Sequence, residues 1–163
     1  MFNRFKKFKR LKKFKGVWGK LSAGGMRMEM KNGKVHEPLS GREKYLTGQV
    51  VGIAIAIHRA LGPGLPVQVY ERCFCHELHK REIGYVRQHK IDLVYDDIRI
   101  EDGLQIDILI DDLIIIELKA QEAHHPAWEA RLLSCLRLTK KRLGYILNFH
   151  APLMKEGIKR MII

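Results

Sequence analysis

The sequence predicts an α/β (α+β) domain with a mixed central β-sheet flanked by helices. Three observations predict it. Residues 46–61 and 67–81 carry apolar residues at helical spacing. From Tyr85 the period falls to two. One helix-patterned segment, 126–138, then separates two strongly apolar strand-like runs, 113–119 and 144–149. The full 163 residues are about one domain's length, and 29% charged residues beside 46% apolar ones are those of a globular protein.

Each element has a local reason. Val50, Val51, Ile53, Ala54, Ile57, Ala60 and Leu61 suit a buried helix, and Gly62-Pro63-Gly64 stops it. A second helix from Val67 to Arg81 sets Tyr70, Phe74 and Leu78 on one face. Short strands are expected at 85–89, 91–95 and 98–100, with a turn at Asp96-Asp97. In 104–110, strict alternation places Leu104, Ile106, Ile108 and Ile110 on one face and Gln105, Asp107 and Leu109 on the other. Asp111-Asp112 makes a hairpin turn into the buried strand 113–119. Pro126 opens the third helix, and strands follow at 144–149 and 158–163.

The net charge of +12 is concentrated at one end: residues 1–35 hold twelve Lys/Arg against one acid, whereas residues 36–163 hold eighteen against seventeen. The expected organisation is a basic, disordered arm and linker over 1–40 and a folded domain over 41–163. In the arm, apolar residues recur every third position from Phe2 to Phe14. That step slips by about 60° per repeat around an α-helix, which argues against a membrane-binding stripe. Lys6, Lys7, Lys9, Arg10, Lys12 and Lys13 are the arm's candidate nucleic-acid contacts. A second reading of this end places translation initiation at Met28. Codons for Ala23-Gly24-Gly25 can contain a ribosome-binding sequence, and the lysine-rich residues would then be upstream DNA read through. No apolar run reaches the roughly 20 residues of a membrane helix. Three cysteines without framework spacing fit a reducing cytoplasm. Cys73, Cys75, His76 and His79 lack the usual paired-ligand spacing of zinc sites.

The chemistry concentrates on Asp107, Glu117 and Lys119. Glu117 and Lys119 lie two apart on an otherwise apolar strand, hence on one face, and burying them is costly unless they are paired or line a cleft. A two-residue hairpin loop would pair Asp107 with about residue 116, and a one-residue shift would bring it level with Glu117. Two carboxylates can hold Mg²⁺, and a lysine beside them can position a water and offset developing negative charge. A plain structural ion pair explains the same spacing.

Several words together carry a resemblance: Ala56-Ile57-His58-Arg59-Ala60-Leu61-Gly62-Pro63-Gly64-Leu65, Tyr70-Glu71, Ile106-Asp107-Ile108-Leu109, Ile116-Glu117-Leu118-Lys119-Ala120, Leu132 to Leu138, and Ile146-Leu147-Asn148-Phe149. From about Tyr45 onward the chain resembles the bacterial GxxExxY proteins, a branch of the PD-(D/E)XK nuclease superfamily. The resemblance implies a PD-(D/E)XK (restriction-endonuclease-like) core and a Mg²⁺- or Mn²⁺-dependent nuclease acting on DNA or RNA. It implies Asp107, Glu117 and the Leu118 carbonyl as metal ligands, with Lys119 as the catalytic lysine.

Two positions depart from the pattern. Val67 stands where the family has its glutamate, and Trp128-Glu129-Ala130-Arg131 stands where a His-x-x-Gln is common. Arg131 can reach a phosphate or form an ion pair across the site. Glu71, one residue past Tyr70, is expected to point elsewhere on its helix. The alternative function is a catalytically inactive nuclease fold that binds nucleic acid or another protein.

Overall fold

The computed structural model describes residues 30–31 and 34–163, with side chains from His36 onward. The basic arm and its six candidate contacts, Lys6 to Lys13, lie outside the described residues, as does most of the expected linker. Within that linker, β1 (Met30–Lys31) pairs antiparallel with β2 (Lys34–Val35).

Helix α1 (Gly41–Leu61) begins where Ser40-x-x-Glu43 spells a capping box. The Ser40 hydroxyl accepts the Glu43 amide at 3.1 Å, and the Glu43 carboxylate accepts the Ser40 amide at 2.7 Å. The helix ends at Gly62, whose φ of 69° suits glycine. Helix α2 (Val67–Lys80) follows. Then come β3 (Tyr85–Tyr95), β4 (Ile98–Ile110) and β5 (Ile114–Lys119). Helix α3 (Pro126–Thr139), β6 (Leu143–Asn148), the single turn α4 (Met154–Gly157) and β7 (Ile158–Ile162) complete the chain.

The five-stranded sheet runs β3-β4-β5-β6-β7. Only β5 and β6 are parallel, and α3 is the crossover that parallel neighbours require. One face, with Ile108, Ile110, Ile114, Ile116 and Leu118, packs on α1 and α2. The other, with Ile106, Leu109, Ile115 and Ile146, packs on Leu132, Cys135 and Leu136 of α3. The mixed sheet and its helical layers agree with the predicted α+β class. Among the described residues, no helix is long and apolar enough to cross a membrane.

The strand count differs from expectation. The four short strands expected between 85 and 110 are two long ones, of 11 and 13 residues. Their distal ends form a two-stranded ribbon with both faces in solvent, leaving Val94, Tyr95 and Ile98 exposed. Main-chain pairing there does not depend on an apolar face. Glu101-Asp102-Gly103 therefore continues β4, although its composition reads as a break. Cross-strand polar contacts, such as Lys90 with Asp102 at 2.6 Å, help hold the ribbon.

Arg142, just before β6, donates from Nε to Glu43 at 2.9 Å and so joins the start of α1 to the sheet. Burial raises the Glu43 pKa, but bonds from Ser40 and Arg142 outweigh it and hold the carboxyl below its usual range. A depressed folded value means stability that is present above the unfolded value and lost as pH falls through the folded one. Glu43→Gln should therefore cost about 1 kcal/mol at neutral pH. The gap in melting temperature between wild type and variant should close below the carboxyl range. Melts by circular dichroism across that range check it.

A candidate active site where strands β4 and β5 part

The turn between β4 and β5 sets the site. Asp111 and Asp112 both occupy the left-handed region, with φ of 50° and 55°. Ile110 pairs with Ile114, so the loop has three residues rather than the expected two. That extra residue supplies the register shift: Ile108 faces Ile116, and continuing the ladder sets Asp107 opposite Glu117.

The expected strict alternation of β4 fails at the same place. Ile106 and Leu109 pack toward α3, whereas Ile108 and Ile110 pack toward α1 and α2, so the strand changes face around Asp107. The ladder to β5 ends at Ile108, and beyond it the Asp107 carboxylate accepts the Leu118 amide at 2.8 Å. Asp107 thus sits in the fork between the strands.

Glu117 is 1% exposed and lies on the α3 side, with Cys135 Sγ 3.9 Å from its Oε1. Two cations compensate it: Lys119 Nζ at 3.2 Å and Arg131 Nε at 3.3 Å. Arg131 also donates from Nη2 to the Gln105 carbonyl at 2.6 Å. Of the two roles open to Arg131, the structure shows the ion pair.

A cleft of about 500 Å³ opens beside this cluster, lined by Val67, Glu71, Arg87, Gln88, Asp107 and Lys119 together with Leu118 and its neighbours. Asp107 and Lys119 are among the lining residues; Glu117 is not, and is joined to the cleft through its ion pair with Lys119. Helix α2 contributes Val67 and Glu71, four apart and so on the same helical face. The expectation that Glu71 points elsewhere is therefore corrected. Glu71 shares its face with Val67, one turn earlier, rather than with the adjacent Tyr70.

Burial, then the Asp107 charge, raise the Glu117 pKa; Lys119 and Arg131 pull it down without cancelling the rise. A carboxyl raised on folding costs stability as pH climbs from its unfolded value through its folded one. Asp107→Asn should bring the Glu117 midpoint down, and Lys119→Met should push it further up. Carboxyl carbon NMR titration of the chelator-treated proteins reads both directions.

Other singled-out residues take structural roles. His58 Nε2 lies 2.8 Å from the Ala151 carbonyl, and His125 accepts the Ala127 amide at the start of α3. Trp128 meets His124 edge to face. Asn148 bonds the Gln121 amide and carbonyl at 3.1 and 2.8 Å, tying down the chain just after Lys119.

Among the described residues, no cluster of three or more His, Cys, Asp or Glu side chains is placed to hold a metal ion. The donors the resemblance implies, Asp107, Glu117 and the Leu118 carbonyl, are all oxygens, and both carboxylates already have protein partners. That chemistry suits a hard cation such as Mg²⁺, which keeps several waters and takes one or two carboxylates.

The mixed five-stranded sheet with helices on both faces is the architecture of a PD-(D/E)XK nuclease-like fold. A family model described as PD-(D/E)XK nuclease superfamily matches residues 44–161, and the chain belongs to that superfamily. No curated protein and no solved structure matches the chain.

Proposed function

We propose that this protein is a Mg²⁺- or Mn²⁺-dependent nuclease of the GxxExxY branch, hydrolysing phosphodiester bonds in DNA or RNA in the cytoplasm. The observation that carries the reading is the meeting of Asp107 and Lys119 in one cleft, with Glu117 bonded to Lys119 at 3.2 Å. Asp107, Glu117 and the Leu118 carbonyl would hold the ion. A bound divalent ion supplies a more acidic water and a counter-charge for the phosphoryl oxygens. Lys119 Nζ would orient the attacking water and offset charge on the phosphate, while Glu117 keeps that amine in place. The folded unit is residues 41–163, and the basic arm adds sequence-independent affinity for the backbone.

The second reading is a nuclease fold that binds nucleic acid without turnover. The Arg131–Glu117 ion pair favours it, because the arginine competes for the oxygens an ion would need. Val67 favours it too, since it offers no carboxylate where the family has its glutamate, and the nearby Glu71 is already bonded to Arg87 and Gln88. Cleavage of single- and double-stranded DNA and RNA with Mg²⁺ or Mn²⁺, against chelator, separates the two. Salt-sensitive binding without turnover selects the second reading.

A further inference from the structure

Arg87 and Gln88 are consecutive residues of β3, and consecutive strand residues point to opposite faces. Here both line the cleft, and both donate to the same Oε1 of Glu71: Arg87 through Nε in a short bond, Gln88 through Nε2 at 3.0 Å. The cause is the backbone of Gln88, whose φ of 51° lies in the left-handed region. The ladder is intact on either side, with Arg87 facing Ile108 and His89 facing Ile106; the kink falls opposite Asp107. A non-glycine residue held this way inside a strand is strained, and surrounding contacts must hold it there.

The kink produces an oriented guanidinium. Glu71 is buried, with its side chain 7% exposed, whereas the Arg87 side chain is 47% exposed. Among the described residues, the bond from Nε is the only side-chain hydrogen bond of Arg87, so its other guanidinium N–H groups remain for a ligand. Lys119 lines the same cleft, and the first turn of α2, which also lines it, carries no acid to repel an anion. Glu71 itself is a poor cation ligand, because its Oε1 already takes two donors and Arg87 offsets its charge.

We propose that Arg87 is an anchor for a backbone phosphate of a nucleic-acid strand, with Glu71 and Gln88 as the residues that position it. A fixed planar fork suits two phosphate oxygens at once. The proposal rests on the nucleic-acid reading above and adds the residues that hold the strand beside Lys119.

The test uses the full chain with fluorescein-labelled single-stranded DNA and RNA oligonucleotides, in chelator, with anisotropy followed across salt concentration. Glu71→Met combined with Arg87→Met replaces the pair by apolar side chains of similar length, so the fold should survive, as a melt will show. That variant should bind about tenfold more weakly, and its log–log salt slope should be shallower by about one phosphate contact. Arg87→Lys keeps the charge and loses the fork; it should keep the slope and lose affinity. If the Met/Met variant does not fold, Arg87→Lys decides alone. Unchanged affinity and slope in a folded Met/Met variant, or wild-type affinity in Arg87→Lys, overturns the anchor. Mg²⁺-dependent cleavage by the wild type in that case leaves the nuclease reading standing. Wild-type protein that binds neither oligonucleotide overturns the anchor as well, and the cleavage assay then judges the nuclease reading separately.

Discussion

Lys119→Met should lower Mg²⁺-dependent phosphodiester cleavage about a thousandfold, the scale expected of a positioned group that orients the nucleophile and meets developing charge. Lys119 reaches the cleft from the end of β5, and its amine is held 3.2 Å from Glu117. Methionine keeps the stem and removes only the charge and the donors. The loss should therefore appear in kcat, with the fold retained. Glu117 loses one of its two cations in this variant, so the upward move of its titration reports the same substitution without any turnover. Single-turnover kinetics on a labelled strand measures the first effect. Activity within tenfold of wild type would leave Lys119 as an ion-pair residue and favour the binding-only reading.

Gly157→Ala should destabilise the domain by about 3 kcal/mol, at the upper end of overpacking costs. A Cβ at position 157 would overlap the Asn148 carbonyl oxygen and press on the Ala151 side chain. The first obstacle is backbone, which cannot swing aside as a flexible side chain can. The Asn148 side chain also bonds the main-chain amide and carbonyl of Gln121, and the Phe149 amide donates to the Lys119 carbonyl at 2.8 Å. A displaced Asn148 would therefore disturb the strand end that carries Lys119. The melting temperature should drop by about 10 °C, and any cleavage should fall in the surviving folded protein. A melt within two or three degrees of wild type, estimated on the same scale, would show that the β6–α4 corner opens readily.

The pairing of Glu117 with Lys119 was legible because it contradicts its surroundings. A glutamate and a lysine two apart in the run from Leu113 to Ala120 are too costly to bury idly, and local spacing alone puts them on one face. The second helix, the crossover helix α3 and most of α1 were legible for a related reason: apolar spacing, Gly62 and Pro126 act within a few residues of themselves. The start of α1 was not legible: it lies at Gly41 rather than Leu46, because the Ser40–Glu43 capping box extends the helix over a polar first turn that carries no apolar period. The long β3–β4 ribbon was not legible, because its distal half buries little and leaves no periodic apolar signal.

Sequence by itself determined the class of fold, the chemical types at the site and the strand that carries two of them. Only the tertiary structure decided how they meet. Asp107 comes level with Glu117 because the turn after β4 holds three residues, two of them with positive φ. Arg131 turned to Glu117 because α3 packs over the buried carboxylate, a contact between elements that no local pattern encodes. Glu71, Arg87 and Gln88 share a cleft because α2 lies against a kinked β3. The physical reason is one of range: propensity, capping and alternation act over a few residues, whereas a cleft is assembled from elements brought together by burying a common core.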